Sequence, residues 1–172
     1  MKTTNSILTI LLLGALGWAQ QPATQDSPAE HHAAVNSRGD HVMGFSHEKT
    51  THHFRLFKDG GAIEVEANDA KDANSRDMIR MHLEHIAKMF AQGNFNAPML
   101  IHATNPPGTP TMTELHEQIH YQFEKTESGG RVRIQTANER ALDAVHQFLR
   151  YQIAEHQTGD ALEVTNSDSS AK

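Results

Sequence analysis

Histidine and methionine residues recur along one stretch of this chain, at spacings that bring them together on single elements. His82 and His85 stand three residues apart, which places both on one side of a helix, and His52 lies in a run of alternating apolar residues. Imidazole nitrogen and methionine sulfur are ligands that suit copper, and imidazole also binds zinc. The residue types and their spacing therefore indicate a transition-metal site.

The predicted ligands come from one helix and from the segments on both sides of it. Within the helix they fall at i, i+4, i+7 and i+11, which forms a single stripe beside the apolar face. If this helix lies on a sheet, side chains from the preceding hairpin and from the following linker reach the same boundary. The candidate metal ligands are His47, His52, Met78, His82, His85, Met89 and His102.

A purely structural role is the competing interpretation of the same residues. Methionines at helical spacing commonly fill gaps in a core, and a half-buried histidine can simply hydrogen-bond a backbone carbonyl. His82 and His85 have i, i+3 spacing, whereas the zinc-protease motif places its histidines at i and i+4. The chain has no cysteine, which excludes thiolate ligands and disulfides.

Catalytic motifs are sparse in this sequence. It has no Gly-x-Ser-x-Gly nucleophile elbow, no glycine-rich phosphate loop and no cysteine nucleophile. A histidine base, His47 or His102, is the remaining route to catalysis and would make the protein hydrolase-like. An enzyme is therefore the least supported hypothesis, and we expect a non-enzymatic protein.

An internal repeat predicts the elements that position these side chains. Residues 52–68 and residues 121–137 both show alternating apolar positions on either side of a Gly-Gly pair. Each segment predicts a β-hairpin that turns at its glycines. In the first hairpin His52 shares a face with Phe54 and would point toward the core, whereas His53 would point away.

Each hairpin leads into an amphipathic helix. The first helix is predicted over residues 75–92, between Asn74 as N-cap and a glycine stop. The second is predicted over residues 137–157, with a capping box that begins at Thr136. The repeated unit predicts an α+β fold: a duplicated ββα unit, with a four-stranded antiparallel sheet and two helices on one face.

The rest of the chain is assigned from composition. Residues 1–19 combine a lysine, an apolar run and small residues before a cleavage position, which is typical of a secretory signal peptide. Within the linker we expect residues 99–102 to be extended and residues 105–110 to form a stiff, proline-rich loop. The predicted organisation is a flexible leader at 20–40, one domain at 41–160 (copy one 45–93, linker 94–112, copy two 113–160) and a disordered tail at 161–172.

The signal peptide predicts an exported protein, periplasmic or extracellular, with no transmembrane segment after cleavage. The formal net charge is −6 and no basic block occurs, which argues against a nucleic-acid partner. The chain contains 13 histidines, close to the 15 lysines and arginines together. This composition again favours metal binding.

Three segments carry a resemblance to a known family. They are Gly44-Phe-Ser-His-Glu-Lys-Thr-Thr-His-His-Phe-Arg-Leu, Asp59-Gly-Gly-Ala-Ile-Glu-Val and Phe148-Leu-Arg-Tyr-Gln-Ile-Ala-Glu-His-Gln-Thr-Gly-Asp. On these segments, over residues 41–160, the chain resembles a family of small exported bacterial proteins with no established activity, so the resemblance implies no catalytic residues. Some members carry an automatic label of aspartate carbamoyltransferase, but this chain lacks the Ser-Thr-Arg-Thr loop that holds carbamoyl phosphate in that enzyme.

Two functional hypotheses are better supported than an enzyme. In the first, an exported non-enzymatic protein binds copper or zinc through the histidines and methionines of the first ββα unit. In the second, the protein is a metal-free binding or structural module. The open face of its sheet, which bears His53, Arg55 and Phe57, would then contact a protein or a small ligand.

Overall fold

The computed structural model describes residues 27–166 as helices packed on one face of a β-sheet. The helices are α1 (Pro28–Met43), α2 (Ala73–Ala91), α3 (Asn96–His102), α4 (Thr109–Glu114) and α5 (Glu139–Glu155). The strands are β1 (Thr50–Phe57), β2 (Gly60–Ala67), β3 (His120–Lys125) and β4 (Gly129–Gln135). Short 3-10 turns precede β1 and β3, at His47–Lys49 and His116–Gln118.

The four strands form one antiparallel sheet in the order β1-β2-β4-β3, which confirms the predicted fold class. At its centre Ile63 of β2 pairs with Val132 of β4, its counterpart in the repeat. Gly60 pairs with Gln135 on one side of this point, and Glu66 pairs with Gly129 on the other. The register therefore relates the two ββα units by an approximate two-fold axis through the middle of the sheet.

The two long helices cover one face of the sheet, and each packs mainly on the hairpin of the other unit. Helix α2 lies on β4 and β3, whereas α5 lies on β1 and β2. Phe90 of α2 and Phe148 of α5 meet edge to face, with ring centroids 6.0 Å apart, and both are buried. The core is thus shared by both units, and helix-facing strand residues point into it.

The Gly-Gly pairs stand at the start of strands, so their predicted position in the turns is wrong. Residues 58–59 form the first turn, and Gly60 opens β2 with a φ of 143°. A Cβ at Gly60 would lie 2.0 Å from the carbonyl oxygen of Ile134, and one at Gly129 would lie 2.0 Å from that of Val65. The glycines are needed because β2 and β4 approach closely at both ends of their pairing.

Helix α1 replaces most of the flexible leader that composition predicts. Its N-terminus carries a capping box, in which Ser27 accepts from the Glu30 N–H and the Glu30 side chain accepts from the Ser27 N–H. Pro28 follows at the first helical position, where its lack of an N–H costs nothing. Val35 of this helix is fully buried. The helix ends at Gly44, which has a φ of 80°.

The linker and the tail also differ from the prediction. Residues 99–102, expected to be extended, belong to α3, and the expected proline-rich loop gives way to α4 at Thr109. In the tail, the Thr165 N–H donates to the Leu56 carbonyl (2.9 Å) and the Thr165 carbonyl accepts from the Lys58 N–H (3.1 Å), forming a parallel bridge beside β1. The tail therefore covers part of an edge that would otherwise be open to pairing.

Helix boundaries shift by a few residues because side chains other than the predicted ones cap them. Asp72 caps α2 in place of Asn74, and Asn138 caps α5 in place of Thr136. No helix within residues 27–166 is both long enough and apolar enough to span a membrane. The predicted signal peptide and the last six residues of the predicted tail lie outside the described part of the chain.

Candidate functional site

Four histidines lie together between the sheet and the helices, and we call His52, His82, His102 and His156 the histidine cluster. His52 lies two residues before Phe54 on β1, so both side chains point toward the helices, as predicted. His82 lies within α2, His102 ends α3 and His156 follows α5. The cluster is therefore assembled from four elements that are distant in the sequence.

The rings of the cluster are close to one another and to aromatic side chains. The ring centroids of His52 and His156 are 5.8 Å apart, and the two planes are nearly parallel, at 8°. His156 is in turn 5.1 Å from His102, at 79°. Phe45 contacts His52 at 6.0 Å and His82 at 5.6 Å. His156 is the centre of the arrangement because it contacts imidazoles on two sides.

Three histidines of the cluster, His52, His82 and His156, line a cavity of about 60 Å³ beneath α2 and α5, which we call the core cavity. Its walls are mainly apolar, and its polar side chains are His52, His82, His156 and Gln152. A larger outer cavity of about 300 Å³ lies between α1 and the segment that follows α5. His52, His156 and Met43 line both cavities. These three side chains therefore stand at the boundary between them.

Several polar atoms of the site lack hydrogen-bond partners. The Nε2 atoms of His52 and Gln152 are buried with no partner in the described part of the chain. His102 Nε2 is 3.0 Å from Gln152 Oε1, and its Nδ1 is 3.6 Å from Glu155, which is too long for a hydrogen bond. Buried polar atoms are rarely left unpaired in proteins, so these positions are candidates for ligand contact.

Burial keeps the imidazoles of the cluster neutral. It lowers the pKa of His52 to about 4 and that of His82 to about 4, with neighbouring histidines adding to the effect. Burial, together with His52 and His102, lowers the pKa of His156 to about 3. Burial also lowers the pKa of His102, although its hydrogen bond with Gln152 acts in the opposite direction. At neutral pH each ring therefore offers one nitrogen lone pair.

The structure brings together three of the seven predicted metal ligands, His52, His82 and His102. His47 instead bonds the Asp40 carboxylate at 2.9 Å, outside the cluster, and His85 is exposed on α2. Met78 and Met89 are half-buried and pack against the core, as a structural role predicts. Within residues 27–166, no three His, Asp or Glu side chains are grouped so as to hold a metal ion.

His156 and Met43 belong to the site but are absent from the predicted set. A sequence signal for His156 exists, because it continues the apolar stripe of α5 three residues after Ile153. Met43 has no comparable signal. It reaches the cavity only because α1 folds over the histidine cluster, and most of that helix, residues 28–40, falls in the segment predicted to be flexible.

His146 is a buried histidine that, unlike His52, hydrogen-bonds the backbone. Its Nε2 atom lies 2.9 Å from the Phe57 carbonyl oxygen and 3.0 Å from that of Gly60. These contacts tie α5 to the first hairpin. The Nε2 atom of His146 is engaged by the backbone and is therefore not a candidate for ligand contact.

The opposite face of the sheet carries ion pairs within the molecule. His53 and Arg55 both bond the Asp160 carboxylate, at 2.9 and 3.1 Å, and Arg131 pairs with Glu124 at 2.5 Å. These contacts engage the charged side chains of this face within the molecule, although the Arg55 side chain is still 42% exposed.

Phe57, predicted to lie on the open face, is 5% exposed. The Arg133 guanidinium lies 4.7 Å from the centre of its ring. The one large apolar side chain assigned to a docking role on this face is therefore covered by a side chain of the same molecule.

Comparison with known proteins gives no match: no family model, no curated protein and no solved structure is significantly similar to this chain.

Proposed function

We propose that this protein is an exported, non-enzymatic binding protein for one transition-metal ion, with copper(I) as the best fit. The proposed ligands are His52, His156 and the thioether of Met43, three residues that line the same two cavities. A carrier or a buffer of copper outside the cytoplasm is the role that such a site would serve.

One observation carries this proposal: His52 Nε2 is buried without a partner beside a second imidazole. A metal–nitrogen bond is about 2 Å long, so two imidazoles that share one ion have ring centres roughly 5–6 Å apart. The separation of 5.8 Å between His52 and His156 falls in this range. A bound ion would also relieve the cost of burying an unpaired nitrogen.

The donor set distinguishes copper(I) from zinc. Zinc in proteins is held by four ligands, whereas this boundary offers two imidazoles and one thioether. Thioether sulfur is a soft ligand that selects copper(I), and copper(I) accepts two or three ligands. His82 contacts Phe45 and is left out of the proposed pair, and His102 has one nitrogen engaged by Gln152.

The neutral state of both imidazoles supports binding. Metal ions compete with protons for imidazole nitrogen, and groups with pKa values of about 4 and about 3 carry no proton to displace at neutral pH. The apolar surroundings that lower these pKa values would also exclude water from the ion.

The test is a copper(I) titration of the mature protein, residues 20–172, against a chromophoric chelator, with a parallel zinc titration by calorimetry. We expect one copper(I) per chain and weaker zinc binding. His52→Gln and His156→Gln should each lower copper(I) affinity by more than about 100-fold, because losing a direct ligand costs more than losing a supporting contact.

His85→Gln and His120→Gln are matched controls, since both side chains are exposed and lie outside the cluster. They should leave the affinity unchanged, and thermal melts should show that all four variants fold. Weak binding of several ions per chain, or equal losses in the cluster and control variants, would contradict the proposal.

A further inference from the structure

We propose that the core cavity binds a small uncharged molecule with a hydroxyl group when no metal is present. The cavity shares Met43, His52 and His156 with the proposed copper site, but binding of this molecule does not require copper. The rest of its lining comes from α2, α3, α5 and the strands, and includes Gln152.

The size of the cavity limits the ligand. Its volume of about 60 Å³ exceeds the roughly 10–15 Å³ that one water needs and is well below the ~150 Å³ of a cavity that takes up benzene. The cavity is therefore the right size for a ligand of about four or five non-hydrogen atoms. A short-chain alcohol is a molecule of this kind.

A single side chain supplies the polar anchor. Gln152 is 5% exposed, and its Oε1 atom is engaged by His102 Nε2 at 3.0 Å. This bond directs the amide so that its Nε2 group is buried, and that group has no acceptor within residues 27–166. A ligand oxygen would satisfy this donor, whose burial without a partner is otherwise unfavourable.

A hydroxyl group suits this cavity better than a charged group. The hydroxyl can accept from Gln152 and donate to a neutral imidazole such as His52, which lines the same space with an unpaired nitrogen. A charged ligand would meet no opposite charge here, because the lining imidazoles are neutral and the other walls are apolar.

The apolar walls favour the carbon end of such a ligand over water. Ile86, Phe90, Ile101 and Phe148 form much of the lining. A water bound to Gln152 and His52 would leave this apolar lining without a contact. An alcohol places its alkyl group against them and keeps its oxygen for the amide.

The experiment is an NMR titration of the chelator-treated mature protein with 2-propanol, followed through the methyl resonances of the isoleucines and leucines. We expect saturable one-to-one shifts centred on Leu83, Ile86 and Ile101, which line the cavity. Gln152→Met keeps the volume and removes the donor, so affinity should fall about tenfold, the size of one buried hydrogen bond. Gln147→Met, on the exposed side of the same helix, should have no effect.

Ala97→Val adds volume at the cavity wall and should reduce binding further. Shifts that rise linearly and spread over the surface would report a solvent effect and would contradict binding in the cavity. Saturable binding that Gln152→Met leaves unchanged would contradict the proposed hydrogen bond from Gln152 to the ligand. Because the protein is free of metal, neither result bears on the copper titration, and failure of that titration would leave this one intact.

Discussion

At the scale of single residues, the contrast between His52 and His146 explains why burial alone does not make a site. His146 is buried and contacts the first hairpin, and His52 lies on that hairpin with its Nε2 atom buried. His146 is bonded to two backbone carbonyls, whereas His52 has a nitrogen with no partner. The difference between a structural histidine and a candidate ligand therefore lies in whether its buried Nε2 atom has a partner.

The buried histidines should make the protein sensitive to mild acid. His52, His82 and His156 have folded-state pKa values of about 4, about 4 and about 3, below the ordinary value of 6.5. Between pH 6.5 and these lower values, the unfolded chain binds protons that the folded chain does not. These histidines therefore do not lower the free energy of unfolding above pH 6.5. Below pH 6.5 that free energy falls as the pH drops, by up to about 1.4 kcal/mol per pH unit for each histidine.

Urea unfolding of the metal-free protein at pH 7, 6 and 5 measures this dependence. His82→Phe removes one of the three groups, so its free energy of unfolding should fall less steeply with acid than that of the unchanged protein. His120→Gln, at an exposed position, should retain the full slope. A slope that is the same in all three proteins would contradict the lowered pKa of His82.

At the scale of elements, the segment after α5 holds β1 through one carboxylate. Asp160 has a side chain only 4% exposed, and it accepts from His53, Arg55 and the Phe54 N–H. Burial would raise the pKa of this carboxyl, but the bonds from Thr158, Phe54 and His53 outweigh it and lower the pKa. The chain end is thus attached at the outer edge of the sheet.

Asp160→Ala should lower the free energy of unfolding by roughly 2–3 kcal/mol, because it leaves charged and backbone donors without their acceptor. Glu114→Ala breaks an ion pair with Arg140 in which both side chains are more than half exposed, and should have a much smaller effect because solvent screens the pair. Chemical denaturation of both variants provides the comparison. Equal losses would mean that Asp160 contributes no more than a surface charge.

The same elements show which parts of the fold the sequence predicts. The hairpins and α2 and α5 were predictable because their apolar residues repeat with periods of two and 3.6 over many positions. Helix α1 was missed because it has few apolar residues. It is held by tertiary contacts, such as the hydrogen bond from Arg38 to the Ile101 carbonyl (2.6 Å), which composition does not reveal.

The candidate site was only partly predictable for a related reason. The stripe of α2 includes His82, which lies in the histidine cluster, but it also includes His85 and Met89, because helical spacing does not tell which edge of a stripe meets the sheet. His156 and Met43 enter the site through the docking of α5 and α1, which no local pattern in the sequence specifies.

At the scale of the whole molecule, the crossed helices make the two ββα units one cooperative structure. Leu149 of α5 is fully buried and reaches Gly61 of the opposite hairpin. Leu149→Ala should therefore weaken both units together, by about 3 kcal/mol, and lower the melting temperature by roughly 10 °C. Scanning calorimetry should still show a single transition, and two separate transitions would contradict a shared core.

The packing of α2 and α5 on each other's hairpins suggests how such a chain can arise. A lone ββα unit would leave most of its own hairpin uncovered, because its helix packs mainly on the neighbouring hairpin. Two identical units would cover each other about the two-fold axis, so a half-length ancestor would be a homodimer, and tandem duplication with fusion would give the present chain. Once fused, the copies are free to diverge: where the first carries His52, the second carries Tyr121 at the matching position.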